Sequence, residues 1–241
     1  MKISIVIPAY NEEKLLPATL ESIFTAAEAF RSRGSEYEVI VCDNNSNDRT
    51  SEIAQKAGAR VVFEPVNQIG RARNCGARAA TGEWLIFVDA DSHPSRALFA
   101  DVADAISKGN CLAGGSTVRL DQRTWLLSSL TALWNVISRV KKWAPGSFIF
   151  CDIRAFRDAG GFSDKLFASE ELDLFQRLHR LARERRKKIV ILHRHPLVTS
   201  ARKAHLYSAR EHFAFMVRTV FSFGKTLKSA EQCHTWYDGR R

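Results

Sequence analysis

Trp84-Leu85-Ile86-Phe87-Val88-Asp89-Ala90-Asp91 runs five apolar residues straight into an acid-x-acid triplet. Five unbroken apolar positions predict a strand covered on both faces, the kind found inside a parallel sheet. In open α/β sheets ligands gather at the carboxyl ends of strands, and here that end carries two carboxylates. Strand period places residues i and i+2 on one side, so Asp89 and Asp91 are expected to face a common point. Hard oxygen ligands of this kind suit Mg²⁺ or Mn²⁺, which keep positions for water and phosphate oxygens. Taken alone, such a triplet is more often a surface turn in which Asp91 caps the helix after Pro94.

Working outward, Ile3 to Ile7, Tyr37 to Cys42 and Arg60 to Phe63 are further short β-branched runs. Stretches of helical period separate them, which predicts a mostly parallel sheet with helices on both faces. Leu16, Leu20, Ile23, Phe24, Ala27 and Phe30 mark the first crossover helix, with Pro17 in its first turn and Gly34 past its end. A second helix is expected from Arg49 to Ala57 behind Asn47 or Asp48, stopping at Gly58, and a third from Arg71 to Ala80. The other strand ends read Pro8-Ala9-Tyr10-Asn11 and Asp43-Asn44-Asn45-Ser46, so three adjacent ends carry polar residues. Beyond Asp91 the alternation weakens. Helices are expected over Ser95–Ser107, Thr124–Val140 and Glu171–Arg183, and extended segments over Cys111–Leu120, Gly146–Cys151 and Ile189–Leu192. An amphipathic helix from Leu206 to Phe223 precedes a polar tail.

The chain has 241 residues, 45% of them hydrophobic, enough for one substantial core and too few for two independent domains. The opening apolar run is too short for a signal peptide. Five scattered cysteines without C-x-x-C pairs indicate neither a zinc site nor a disulfide framework, and a reducing, cytoplasmic setting is expected. No stretch reaches the length of a membrane-spanning helix. A net charge of +10 calls for phosphate-rich partners: nucleotide diphosphates, anionic lipid or nucleic acid. The basic residues are dispersed and no aromatic-basic RNA signature occurs, so nucleic acid is not expected. A nucleotidyltransferase is disfavoured because no glycine-rich phosphate loop follows the first strand.

Four motifs fall in order: Val6-Ile7-Pro8-Ala9-Tyr10-Asn11-Glu12-Glu13, Val41-Cys42-Asp43-Asn44-Asn45-Ser46-x-Asp48, Gly70-Arg71-Ala72-x-Asn74 and Phe87-Val88-Asp89-Ala90-Asp91. Together they resemble glycosyltransferase family 2. Gly146-Ser147-Phe148-Ile149, Gly160-Gly161-Phe162 and Ser169-Glu170-Glu171-Leu172-Asp173-Leu174 are similar to the same family's acceptor half. The resemblance implies a GT-A fold, a Rossmann-like α/β sheet continuous with a smaller acceptor region. Residues 1–203 would form that domain, with 1–92 as the nucleotide-sugar half and 93–203 as the acceptor half; 204–241 would be a C-terminal helix and tail. The implied activity is metal-dependent inverting transfer of a sugar from a UDP- or GDP-sugar to a hydroxyl acceptor, lipid-linked or polysaccharide. The alternative is an inactive GT-A binder of nucleotide or sugar.

By similarity, Pro8, Tyr10 and Glu12 border the nucleoside, Asp43 accepts a hydrogen bond from the base, and Arg71 lies near the nucleotide. Asp89 would sit by ribose and metal, and Asp91 would ligate Mn²⁺ or Mg²⁺ directly. The family's base is usually the Asp of a Glu-Asp pair. Here the pair is Glu170-Glu171. Glu171 keeps the carboxylate on a side chain one methylene longer and is the assigned base, with Glu170 as alternative. His193 or His195 is a candidate third metal ligand, and Arg202 or Lys203 a candidate diphosphate contact.

Between Thr124 and Trp143 lie Trp125, Leu126, Leu127, Leu130, Leu133, Trp134, Val136, Ile137 and Val140, then Lys141-Lys142. Core packing is the first reading of this helix. Tryptophans flanked by lysines also match a helix lying on an anionic membrane, which leaves peripheral attachment to the inner membrane face open.

Overall fold

A computed structural model describes residues 1–122 and 124–202. Four strands, β1 (Lys2–Ala9), β2 (Glu36–Asp43), β3 (Arg60–Phe63) and β4 (Trp84–Val88), pair in parallel in the order β3-β2-β1-β4. Beyond β4 the sheet continues through β7 (Phe148–Asp152), β6 (Cys111–Leu120), β8 (Lys188–Thr199) and β5 (Ser92–His93). Strands β7 and β5 run against their neighbours, and the other six share one direction. The sheet is therefore mostly parallel, as expected.

Side-chain alternation explains why β1 and β4 are apolar throughout. Ile3, Ile5 and Ile7, with Trp84, Ile86 and Val88, enter one core, while Val6, Leu85 and Phe87 enter another. Helices α1 (Leu16–Arg31) and α4 (Arg96–Ser107) cover the first, where Phe30 stacks on Phe99 at 5.0 Å between ring centroids. Helices α3 (Ile69–Ala79), α6 (Ile153–Asp158) and α7 (Glu170–Glu184) supply the second. There Phe87 meets Phe162 edge-to-face at 5.1 Å.

The helix boundaries follow local chemistry. Pro17 sits in the first turn of α1, and Gly34 beyond its end takes φ +71°. Ser95 Oγ caps α4 by accepting from Leu98 N–H. Helix α2 (Thr50–Lys56) is shorter than expected and begins behind Arg49, though Asp48 Oδ1 still accepts from Thr50 N–H. Strand β7 starts two residues later than expected, because the backbone of Gly146 and Ser147 serves side-chain and loop contacts instead. Strand β8 runs on to Thr199 by pairing with β6 and β5. Neither α6, capped by Asp152, nor the two-residue β5 was legible as an element. Helix α5 (Trp125–Lys141) is present, but among its described side chains six large apolar ones are exposed, which overturns core packing for that face. Among the described residues no helix is long and apolar enough to cross a membrane. The helix expected over 206–223 and its tail lie outside the described residues.

Candidate active site

Because β1 to β4 are parallel, their carboxyl ends line one edge, and antiparallel β7 brings its amino end to the same edge. Val88 pairs with Phe148, so the Asp89–Asp91 segment lies against the Gly146-Ser147 loop, and Asp89 N–H donates to Ser147 O at 3.3 Å. The triplet is a turn, not a continuation of β4: Ser92 N–H donates to Asp89 O, and Thr19 Oγ1 donates to the carbonyl of buried Ala90. Strand period therefore does not govern Asp89 and Asp91, and their carboxylates meet different cations.

Asp89 is held by Arg73, a residue the sequence motifs passed over. The Arg73 side chain is buried, with 1% of the residue exposed. One guanidinium nitrogen donates to Glu170 Oε1 at 2.6 Å; the other donates to Asp89 Oδ1 and to Gly146 O, both at 2.9 Å. Its Cζ lies over the Phe162 ring, 5.2 Å from the centroid. Burial works against the charge, but Asp89, Glu170 and Glu171 outweigh it and keep the guanidinium protonated. Arg73 thus ties the turn after β4 to the first turn of α7, 97 residues away from it along the chain at Glu170.

Around this pair lies a cavity of about 190 Å³ lined by Ile69, Arg73, Asp89, Gly146, Ser147 and residues 167–171. Glu170 is 3% exposed and committed to Arg73; Glu171 is half-buried beside it. Burial first, and the Glu170 charge second, push the Glu171 carboxyl up to about 8. Ser169, immediately before α7, has φ +61°, a left-handed conformation that costs a non-glycine residue energy and recurs at functional sites.

A second cluster forms nearer β1. Arg202 reaches Glu12 in a two-pronged contact, 3.0 and 2.7 Å, and lies 3.6 Å from Asp91 Oδ2. Glu12 is buried and its N–H donates to Thr50 Oγ1. The Arg202 Nε is buried without a partner among the described residues. Asp43 accepts from Ser46 N–H and from Ser51 Oγ, which rigidifies the loop after β2 while leaving lone pairs on both oxygens. Asn44 clamps the chain after β3 through Glu64 O, Val66 O and Gln68 N–H. Pro8 is buried at the end of β1 and Tyr10 half-buried after it, beside the left-handed Asn11 whose side chain accepts from Asn47 N–H.

Arg71 points elsewhere. Its Nε donates to Glu64 at 3.2 Å, and it lines a separate cavity with Asn74, Phe162 and Asp164. The glycine-marked motif of α3 is explained by packing. A Cβ on Gly76 would come 2.3 Å from Val6 Cγ1, and Asn74 makes two hydrogen bonds with the Phe162 backbone. His195 pairs with Asp101 at 2.9 Å and His193 is exposed, so neither joins Asp91; Lys203 lies outside the described residues. Among the described residues no group of three His, Cys, Asp or Glu side chains is gathered for a metal. The residues present suit a different arrangement, in which a single carboxylate supplies one hard oxygen ligand and substrate phosphates and water complete the shell. Asp91, whose Oδ2 lies 3.6 Å from Nη2 of Arg202, is the carboxylate placed for that role.

The sequence matches the family model for glycosyl transferase family 2 over residues 4–160. It is 30% identical over 170 residues to undecaprenyl-phosphate 4-deoxy-4-formamido-L-arabinose transferase of Edwardsiella ictaluri, covering 65% of this chain and 49% of that protein. The chain thus spans about half the length of the curated relatives it matches. The structure is similar to Staphylococcus aureus TarS 1–349 in complex with UDP-GlcNAc, with TM-score 0.67 and 22% identity over 98% of this chain and 69% of that one. It is also similar to the mannosyltransferase PcManGT from Pyrobaculum calidifontis in complex with GDP-Man and Mn²⁺, with TM-score 0.68 and 18% identity over 90% and 60%. Those likenesses identify the architecture as the GT-A fold. With its family motifs lining one sheet edge, the chain belongs to glycosyl transferase family 2.

Proposed function

We propose that this chain is an inverting glycosyltransferase that moves a sugar from a UDP- or GDP-sugar to a hydroxyl acceptor, using Mn²⁺ or Mg²⁺ held by Asp91. The observation that carries the reading is the Arg73 bridge, which sets the turn after β4 and the Glu170-Glu171 pair on two sides of one cavity. Residues 1–92 hold the donor in this reading, and 93–203 receive the acceptor. The structural relatives in complex with UDP-GlcNAc and with GDP-Man and Mn²⁺ support the donor class.

Pro8, Tyr10 and Glu12 border the nucleoside, Asp43 accepts from the base, and Arg71 supports the loop after β3 through Glu64. Arg202 holds Glu12 in place and adds positive charge beside Asp91, where a diphosphate needs it. Bound there, the divalent ion supplies neutralisation of the charge that builds on the departing nucleoside diphosphate. Glu171 takes the proton of the acceptor hydroxyl as that oxygen bonds to the anomeric carbon and the bond to the diphosphate oxygen breaks. A carboxyl raised by burial is a stronger base once ionised, which suits removal of a weakly acidic hydroxyl proton. Glu170, locked to Arg73, fixes the first turn of α7 and so the position of Glu171.

Nucleoside diphosphate release from a panel of UDP-, GDP- and dTDP-sugars, with Mn²⁺, Mg²⁺ or a chelator, tests the reading. One donor should turn over with metal and not with chelator, and the product from an α-linked donor should be the β-anomer by NMR. Retained configuration, or turnover indifferent to chelator, would overturn it.

A further inference from the structure

Helix α5 is built inside out. At about 100° per residue, Trp125, Leu130, Leu133, Val136, Ile137 and Val140 fall within an arc of roughly 140°, and all are exposed, Trp125 at 82% and Val140 at 73%. The side turned to the protein carries polar groups instead. Asn135 makes two hydrogen bonds with the Val118 backbone on β6, Ser138 is buried and donates to Trp143 O, and Thr131 bonds back to Leu127 O. Trp134 alone among the tryptophans of this helix packs against the core. A surface helix that spends its polar residues inward and its apolar ones outward is shaped for an apolar medium on its outer side.

The charges around this face choose the medium. Helix α5 contains no Asp or Glu. On the same angular count Arg139 and Lys141 flank the apolar arc on opposite sides, and Lys142 follows at the end. Lys141 also lines an open cavity of about 460 Å³ with Arg180 and Arg183 of α7, where Glu184 is the acidic member. Apposing two copies of this face with their basic ends together would set like charges against each other, whereas anionic headgroups would neutralise them.

We infer that the outer face of α5 docks on an anionic lipid surface, its apolar arc entering the headgroup boundary and Arg139, Lys141, Arg180 and Arg183 meeting lipid phosphates. This goes beyond the transfer reaction and does not depend on it. Placement matters, because the chain leaves α5 through Trp143-Ala144-Pro145 into Gly146, whose carbonyl Arg73 holds at the edge of the cavity. A docked α5 brings that cavity to the lipid surface.

The test is flotation of the full chain with mixed phosphatidylglycerol–phosphatidylcholine vesicles and with pure phosphatidylcholine vesicles, at low and high salt. Binding is expected to the anionic vesicles only, and to weaken with salt. L133S/V136S/V140S should abolish it while leaving the melting temperature and donor turnover unchanged, since these side chains touch solvent. R139Q/K141Q should lower partitioning by about fivefold per charge removed. No flotation with anionic vesicles at low salt overturns the inference, as does equal flotation of the triple variant. A concentration-dependent dimer lost in the triple variant, without flotation, overturns it in favour of a second copy.

Discussion

Removing Arg73 should do more damage than removing any other single cation of the described structure. In Arg73→Met the side chain keeps its bulk, but Asp89 and Glu170 lose their shared partner while Glu170 stays buried. Breaking a buried ion pair by deleting one member costs about 3–5 kcal/mol, because a charge is left uncompensated in a poorly polarisable site. For a chain of this size about 1 kcal/mol moves the melting temperature by roughly 2–4 °C, so a fall of roughly 6–20 °C is expected. Lysine is no substitute, since Asp89, Glu170 and Gly146 O are met by two nitrogens of one planar fork. The decisive assay is a double-mutant cycle by urea unfolding. Neutralising the stranded acid should relieve the loss, so R73M/E170Q should cost at least about 1 kcal/mol less than the sum of R73M and E170Q. Strictly additive costs, or an R73M cost below about 1 kcal/mol, would refute the bridge as the element that joins the two halves of the site.

Three further outcomes follow from the structure. The raised Glu171 carboxyl gives kcat/KM an ascending limb, with activity gained as pH rises through about 8; a limb near the ordinary carboxylate range would contradict the assignment. The stability sign is opposite. With the folded pKa above the unfolded one, the folded chain binds more protons between about pH 4.3 and 8, so this group costs stability increasingly as pH rises across that window. E171Q should flatten that slope in thermal melts. Gly76→Ala places a methyl 2.3 Å from Val6 Cγ1 and should destabilise by about 1–3 kcal/mol in urea titrations; a neutral result would show that α3 can lift from the sheet freely.

Sequence pattern carried the sheet further than it carried the site. Unbroken apolar runs, buried on both faces in β1 and β4, and the punctuation by Gly34, Gly58 and Ser95, are local signals, and they gave those elements nearly to the residue. Element β5 exists only because β8 pairs with it, and the length of β8 itself depends on β6; both are set by tertiary pairing. The strand argument for Asp89 and Asp91 failed because hydrogen bonds from Ser92 and Thr19 close a turn immediately after Val88. Arg71 drew attention within the α3 motif, yet Arg73 is the one turned inward. Its spacing from Gly70, Gly76 and Ala77 put it on the packed face of the helix, and that was the available signal. Helix α5 misled for a related reason. Its apolar period is real, but the period alone does not say which side faces the protein.

The central claim, a metal and donor site at Asp91 separated from a base at Glu171, is tested most directly by calorimetric titration of nucleoside diphosphate with and without Mn²⁺. Wild type and E171Q should bind it with a metal-dependent affinity, D91N should lose the metal dependence, and E171Q should bind yet transfer no sugar. Metal-dependent binding retained in D91N, or transfer retained in E171Q, would contradict it.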